Sequence, residues 1–120
     1  MPITRLAPIL PVRDMSAAVE FYEKLGFELV KRVDAWNWAM LARGEARIMV
    51  DQSTNPHPGT RRTGVIYLYA SDLIAFHREA TARGLELPEP EPTFYGMIEI
   101  RIEDPDGNRL WIGEEPATVG

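Results

Sequence analysis

The chain has 120 residues, the size of one ordinary domain, and 45% of them are hydrophobic, which is enough to bury a core. It contains no cysteine, which excludes disulfides and thiolate metal sites and favours a reducing cytoplasm. The net charge of −5 argues against a nucleic-acid partner, because phosphates select basic surfaces, and it permits a cationic partner. No apolar run approaches the ~20 residues of a membrane span, so we expect no membrane partner.

The first half of the chain predicts a strand, a helix and three more strands. A proline-bearing edge strand is expected over residues 5–12, and Asp14 opens a helix with helical apolar spacing that ends at Gly26. Alternating segments then predict strands over residues 27–32, 36–42 and 46–51. These elements form module one, residues 4–52, and the polar stretch 53–63 is a linker.

The same order restarts after the linker. A strand is predicted over residues 65–70, and Asp72 opens a helix that ends at Gly84. Three further strands are predicted over residues 85–87, 94–102 and 109–113, with a proline-rich crossing before the long one and a tight turn at residues 104–107 before the last. Module two therefore covers residues 64–114, and residues 115–120 are a tail.

The two halves are related at a constant offset of 58 residues. Asp14 meets Asp72, Ala17 meets Ala75 and Gly26 meets Gly84 at this offset. The sequence thus predicts a single α+β domain of two βαβββ modules with mixed sheets. Each helix covers one face of its sheet, and the two uncovered faces are expected to enclose a cleft, which is a natural ligand site.

Two segments carry a family resemblance that covers nearly the whole chain. The opening ILPVRDMSAAVEFYEKLGFELV and the closing DPDGNRLWIGE resemble the vicinal oxygen chelate superfamily, which includes glyoxalase I, extradiol dioxygenases and bleomycin-resistance proteins. The resemblance implies the glyoxalase/bleomycin-resistance fold. These motifs are turn, cap and packing residues, so they identify the fold better than the reaction.

The resemblance also locates the positions where metal enzymes of the superfamily hold a divalent ion. These positions fall on Ala7, Met49, Val65 and Trp111. None of the four is a ligand for a hard or borderline metal, so we expect no metal and no cofactor. Of the two histidines, His57 lies in the linker and His77 lies on the second helix. We expect His77 to be a partly buried helix residue with a hydrogen-bond partner, the alternative being an acid–base group.

Strand alternation separates the side chains into two sets. The set beneath the helices is almost wholly aliphatic, whereas the set that faces the cleft is aromatic, charged or Met. The expected ligand-binding residues are Trp36, Trp38, Arg47, Tyr67, Tyr95, Met97, Glu99, Arg101 and Trp111. Aromatic rings offer stacking surfaces and carboxylates bind cationic groups. Core packing or a dimer contact is the alternative for each aromatic residue.

The cleft set is similar to that of the bleomycin-resistance branch, whose members are small, acidic, metal-free dimers that sequester a large cationic drug. Tyr95 stands nine positions before the DPDG turn, where that branch has an aromatic residue. The resemblance implies a homodimer that binds a small aromatic or cationic molecule, and the absence of cysteine leads us to expect it in the cytoplasm. One alternative is a cofactor-independent isomerase or lyase with Glu99 as base and Arg47, Arg101 or Tyr67 stabilising an oxyanion. Another is an interaction module whose aromatic surface only forms the dimer.

Overall fold

The computed structural model describes residues 3, 5–53 and 64–116, and the chain separates into two compact units, Met1–Arg61 and Arg62–Gly120. Most of the predicted linker, including His57, lies outside the described residues, as do residues 117–120 of the predicted tail. In the described part of the chain, neither helix has the length and apolar character that a bilayer crossing requires.

The first unit is a four-stranded mixed sheet with one helix. Its elements are β1 (Ile9–Pro11), α1 (Met15–Lys24), β2 (Glu28–Val33), β3 (Trp38–Arg43) and β4 (Ala46–Asp51). The strand order is β1-β4-β3-β2, with β1 parallel to β4 and the other pairs antiparallel. Alternate strand positions such as Leu10, Leu41 and Val50 are buried together with Val19 and Tyr22 of α1. The core therefore lies between α1 and one face of the sheet.

The second unit repeats this arrangement. Its elements are β5 (Val65–Tyr69), α2 (Leu73–Ala82), β6 (Glu91–Pro92), β7 (Ile98–Glu103) and β8 (Arg109–Glu114). The strand order is β5-β8-β7-β6, with β5 parallel to β8. Ile100, Leu110 and Ile112 are buried, as are Leu73 and Phe76 of α2. The predicted α+β fold of two βαβββ modules with mixed sheets is confirmed.

Prolines account for two strand predictions that are wrong. Residues 85–87 form no strand, and the strand at this place is β6, within the segment expected to be a mere crossing. β6 is limited to two residues because Pro88, Pro90 and Pro92 have no N–H to donate to a ladder. β1 is likewise shorter than the predicted 5–12, since it is an edge strand that contains Pro11 and follows Pro8.

Two further boundaries differ from the prediction because the chain turns where a strand was expected. Asp34–Trp36 is a 3₁₀ turn, and Asn37 has a left-handed φ of 51°, so β3 begins only at Trp38. In the second unit the predicted strand 94–102 begins with a hairpin turn. Gly96 N donates to Thr93 O at 3.2 Å and Thr93 N donates to Met97 O at 2.8 Å, with Gly96 at a φ of +87°. β7 therefore starts at Ile98.

Both helices begin in the same way. Asp14 Oδ1 accepts from Ala17 N at 3.1 Å, and Asp72 Oδ1 accepts from Ala75 N at 3.0 Å, so each predicted aspartate is an N-cap. A second acceptor comes from the end of the last strand of each unit. Gln52 Oε1, just beyond β4, accepts from Met15 N at 3.1 Å, and Glu114 Oε1, at the end of β8, accepts from Leu73 N at 2.8 Å. Both caps therefore satisfy amides that the first turn of a helix leaves unpaired.

Candidate functional site

The face of the second sheet that points away from α2 carries the polar and aromatic side chains of this unit. The strand register places Tyr67, Trp111 and Arg101 side by side in one row across β5, β8 and β7. The next row consists of Tyr69, Gly113 and Glu99. Side chains in one row are neighbours on the same face, so the backbone alone brings four predicted site residues together.

Glu99 is the centre of this cluster, and only 4% of its surface is exposed. Its Oε2 accepts a hydrogen bond from Tyr67 Oη at 2.7 Å and a second, short one from Tyr95 Oη. Its Oε1 accepts from Arg101 Nε at 3.1 Å, and Arg101 Nη2 also donates to Tyr95 Oη at 3.3 Å. Both carboxylate oxygens are therefore engaged by donors from β5, β7 and the hairpin turn.

These bonds set the ionisation of the cluster. Burial alone would raise the pKa of Glu99, but the hydrogen bonds from Tyr95, Tyr67 and Arg101 together hold that pKa below its ordinary value of 4.5. Burial, followed by the bond to Glu99 and its charge, raises the pKa of Tyr67 above its ordinary value of 10.0. The bonds to Tyr95 and Glu99 raise the pKa of Arg101. A carboxylate with a lowered pKa and occupied oxygens is a weak general base, so the cluster is better suited to binding than to proton abstraction.

Arg101 also covers the indole of Trp111. Its guanidinium carbon lies 3.8 Å from the centroid of the Trp111 ring, a cation–π contact. About half of the Arg101 side chain is exposed to solvent, whereas the side chain of Glu99 beneath it is buried. The guanidinium is thus fixed between a carboxylate and an indole, with one side toward solvent.

Gly113 is a site residue that the sequence analysis did not identify. A Cβ at this position would lie 2.8 Å from Tyr67 Cζ and 3.1 Å from Met97 Cε, and closer still to Tyr67 Oη. The phenol of Tyr67 therefore passes over the bare backbone of β8 on its way to Glu99. A glycine between a tyrosine on one strand and a glutamate on another could have signalled such a crossing.

A groove of about 470 Å³ lies beside the cluster, between the hairpin turn and the Pro88–Pro92 segment. Tyr95, Glu99 and Arg101 line it, together with Phe94, Glu89 and Glu91, which the sequence analysis did not select. Phe94 is 99% exposed, and its ring meets that of Tyr95 edge to face at 4.9 Å. The turn signal in Thr93-Phe94-Tyr95-Gly96 could have revealed this tip, had the segment not been taken as a strand.

The three remaining predicted ligand-binding residues belong to the first unit. Trp36 and Trp38 have ring centroids 6.1 Å apart at an angle of 55°, and Trp36 is 60% exposed. Arg47 donates from Nη1 to Gly44 O at 2.7 Å and Ala46 O at 3.0 Å, so its guanidinium is used in the turn between β3 and β4.

The four positions that correspond to metal ligands offer no suitable donor set. Ala7 precedes β1, Met49 lies on β4, Val65 begins β5 and Trp111 lies under Arg101 on β8. Aliphatic, thioether and indole side chains do not fit a divalent ion that takes oxygen or imidazole ligands. Within residues 5–53 and 64–116, no three His, Cys, Asp or Glu side chains are grouped to hold a metal.

The second histidine departs in part from its expected setting. His77 lies on α2 and is half-buried, as expected, but its Nε2 is buried without a hydrogen-bond partner among the residues that the structure describes.

Comparison with known proteins finds relatives that are bleomycin resistance or bleomycin-binding proteins. The chain is 32% identical over 124 residues to a bleomycin resistance protein of Klebsiella pneumoniae, and the match covers 94% of each chain. The structure of a bleomycin resistance determinant encoded on the transposon Tn5 matches with a TM-score of 0.77 and 27% identity over 96% of this chain and 100% of that one. A bleomycin-binding protein complexed with bleomycin matches with the same TM-score and identity over 95% of this chain and 100% of that one.

The family model for the glyoxalase/bleomycin resistance protein/dioxygenase superfamily matches residues 3–112, which is most of the chain. The two βαβββ units, the DPDG turn and the bleomycin-resistance relatives all agree with this match. The chain therefore belongs to the glyoxalase/bleomycin resistance protein/dioxygenase superfamily and resembles its bleomycin-resistance branch.

Proposed function

We propose that this protein binds and sequesters an aromatic, cationic small molecule, such as a bleomycin-type antibiotic, and that it does so as a metal-free homodimer. The observation that carries the proposal is the groove beside Glu99, which combines exposed rings with an excess of carboxylates. Support also comes from the bleomycin resistance protein and the bleomycin-binding protein among the relatives.

The charge of the groove favours a cation. Glu89, Glu91 and Glu99 contribute three negative charges and Arg101 one positive charge, which leaves a net charge of −2 on the lining. Arg101 is already paired with Glu99, so the charges of Glu89 and Glu91 remain to attract a ligand. Complementary charge speeds association and excludes anionic competitors more than it adds affinity.

The rings of the groove favour a flat ligand. A phenylalanine that is 99% exposed at the tip of a turn gains nothing from folding, and exposed apolar side chains beside a groove are typical of binding sites. The turn that carries it is well braced, since Met97 N donates to Thr93 Oγ1 at 3.0 Å in addition to the backbone bonds. Because the backbone of this turn is ordered before binding, less entropy is lost when a ligand stacks on the ring that it carries.

The homodimer is supported by exposed apolar side chains of the first unit. Ile9, Val30 and Trp36 are each more than half exposed. Sedimentation over a range of protein concentrations tests the dimer, and Trp36→Ala should weaken self-association. If Trp36→Ala leaves the dimer intact and instead removes ligand binding, Trp36 belongs to the ligand site.

Calorimetric titration with bleomycin and with smaller planar cations tests the binding proposal. Phe94→Ala should weaken binding about three- to tenfold, the value of one stacking contact, without changing the melting temperature. Glu91→Gln should weaken it about two- to fivefold, and less so in high salt. Glu20→Gln, which removes an exposed carboxylate on α1 of the first unit, is the matched control and should have no effect.

Two results would contradict the proposal. One is the absence of heat and of a thermal shift across the whole panel of planar cations. The other is equal binding of a planar anion of the same size, since the net charge of the groove predicts its exclusion. Elemental analysis of protein purified without chelator tests the metal-free part, and a stoichiometric divalent ion would refute it.

A further inference from the structure

A second pocket lies on the other side of the Pro88–Pro92 segment, next to α2. Its volume is about 510 Å³, within the usual range for small-molecule sites. Glu89 and Pro92 line both this pocket and the aromatic groove, whereas the rings of Phe94 and Tyr95 line only the groove. The two spaces therefore differ in chemistry although they share one wall.

A residue in the wall of this pocket carries an orphaned polar atom. His77 is one of the lining residues, and its Nε2 is buried and has no partner within residues 5–53 and 64–116. A buried polar atom without a hydrogen bond has lost the bond that it would make to water, so native proteins rarely leave one unsatisfied. The imidazole as a whole is only half-buried, so a turn of the ring would bring Nε2 to a donor in the pocket, which would supply the missing bond.

The walls of the pocket define the apolar part of a ligand that would fit it. They are formed by Leu73, Ile74 and Ile98 together with Pro90 and Pro92, and none of the lining residues is aromatic except the imidazole. Ile74 is 68% exposed and Ile98 is 39% exposed, so apolar surface is left uncovered at the mouth. An aliphatic chain covers this surface, and a flat ring has no partner to stack on.

The polar groups in the lining define the head group of such a ligand. Glu89 and Glu114 place two carboxylates in the lining, and Glu114 uses Oε1 for the Leu73 amide, which leaves Oε2 to a further donor. The first amides of α2 are already capped by Asp72 and Glu114, so the helix end does not call for an anion. A neutral imidazole with its proton on Nδ1 presents Nε2 as an acceptor. Three acceptors and two negative charges fit a head that only donates.

We propose that this His77 pocket is a second ligand site, separate from the aromatic groove, for an aliphatic primary ammonium ion. The ammonium donates to His77 Nε2 and is neutralised by Glu114 and Glu89. The hydrocarbon chain packs on Leu73, Ile74 and Ile98. The site does not depend on the proposed function of the groove, because Phe94 and Tyr95 take no part in it.

The test is a titration of the whole protein with n-hexylammonium in mildly alkaline buffer, followed through the imidazole nitrogens by NMR. Hexanol and hexanoate of equal chain length are the matched probes. Hexylammonium should shift the Nε2 signal of His77 saturably, hexanol more weakly and hexanoate not at all.

Variants separate this site from the groove. His77→Leu should weaken hexylammonium binding about tenfold, as expected for one lost hydrogen bond to a charged group. Phe94→Ala and Glu91→Gln should leave it unchanged while weakening the planar cations. The proposal is overturned if the His77 signals do not respond, if hexanoate binds as well as hexylammonium, or if His77→Leu binds as the wild type does. If His77→Leu fails to fold, the proposal is tested by the order in which hexylammonium, hexanol and hexanoate bind to the wild type.

Discussion

The substitution Gly113→Ala tests whether bare backbone on β8 is what allows Tyr67 to reach Glu99. The added Cβ would lie 2.8 Å from Tyr67 Cζ, whereas carbon atoms in contact stay about 3.5 Å apart or more, so the ring must move by at least about 0.7 Å, and its hydroxyl, which lies nearer to the Cβ, must move farther. Because Tyr67 Oη lies 2.7 Å from Glu99 Oε2, a shift of this size breaks or badly strains the bond. The lost bond to a buried charge and the crowding together predict a destabilisation of about 2–3 kcal/mol.

Urea denaturation measures this loss, and a carbon NMR titration of the Glu99 carboxyl gives a second, independent result. The bond from Tyr67 is one of three that lower the pKa of Glu99, so Gly113→Ala should raise that pKa. Gly64→Ala is the control, because a Cβ at Gly64 meets nothing within 4 Å and Gly64 lies in the same unit. If Gly113→Ala is as stable as Gly64→Ala and the pKa of Glu99 does not move, the role assigned to Gly113 is wrong.

Three further predictions concern ionisation and helix capping. Because the folded-state pKa of Glu99 lies below its ordinary 4.5, its contribution to stability is present above pH 4.5 and is lost as the pH falls through the folded value. In acid denaturation, the stability advantage of wild type over Glu99→Gln should therefore shrink below pH 4.5, and a constant difference would contradict this. The raised pKa of Tyr67 acts at the alkaline end of the pH range. The stability that Tyr67 adds is complete below its ordinary pKa of 10.0 and is lost as the pH rises above that value. Tyr67→Phe should therefore lose less stability than the wild type as the pH is raised above 10.0. Asp14→Ala and Asp72→Ala should each cost about 1 kcal/mol in urea denaturation through the lost N-cap bond, and a cost no larger than that of a neutral surface substitution elsewhere would show that the caps are dispensable.

The fold could be predicted from the sequence because its signals are local. Asp14 and Asp72 cap their helices with their own side chains, and the alternation of apolar residues along β4 and β8 assigns the buried face of each sheet. The same alternation placed Glu99 and Arg101 on the face that carries the site. These inferences required no knowledge of distant contacts.

The rest depends on contacts that local patterns do not encode. Phe94 was expected within a strand because its neighbours are apolar, and only the bonds across residues 93–97 make it the tip of a turn. Gly113 matters because a side chain from β5 crosses β8 to reach β7, a path that involves three strands distant in sequence. The unpartnered Nε2 of His77 likewise follows from what surrounds α2, not from the helix itself.

The bonds from Gln52 and Glu114 to the two helices close each half of the molecule on itself, since the last strand of a unit is tied to the first turn of that unit's own helix. A break in the chain between Ser53 and Gly64 would leave both closures intact. The two copies of the repeat have nevertheless diverged at this point, because one closure uses a neutral amide and the other a charged carboxylate. That single difference places a negative charge beside the His77 pocket in the second copy. The corresponding bond of the first copy is made by an uncharged side chain. The two halves of a duplicated scaffold are in this way chemically unequal.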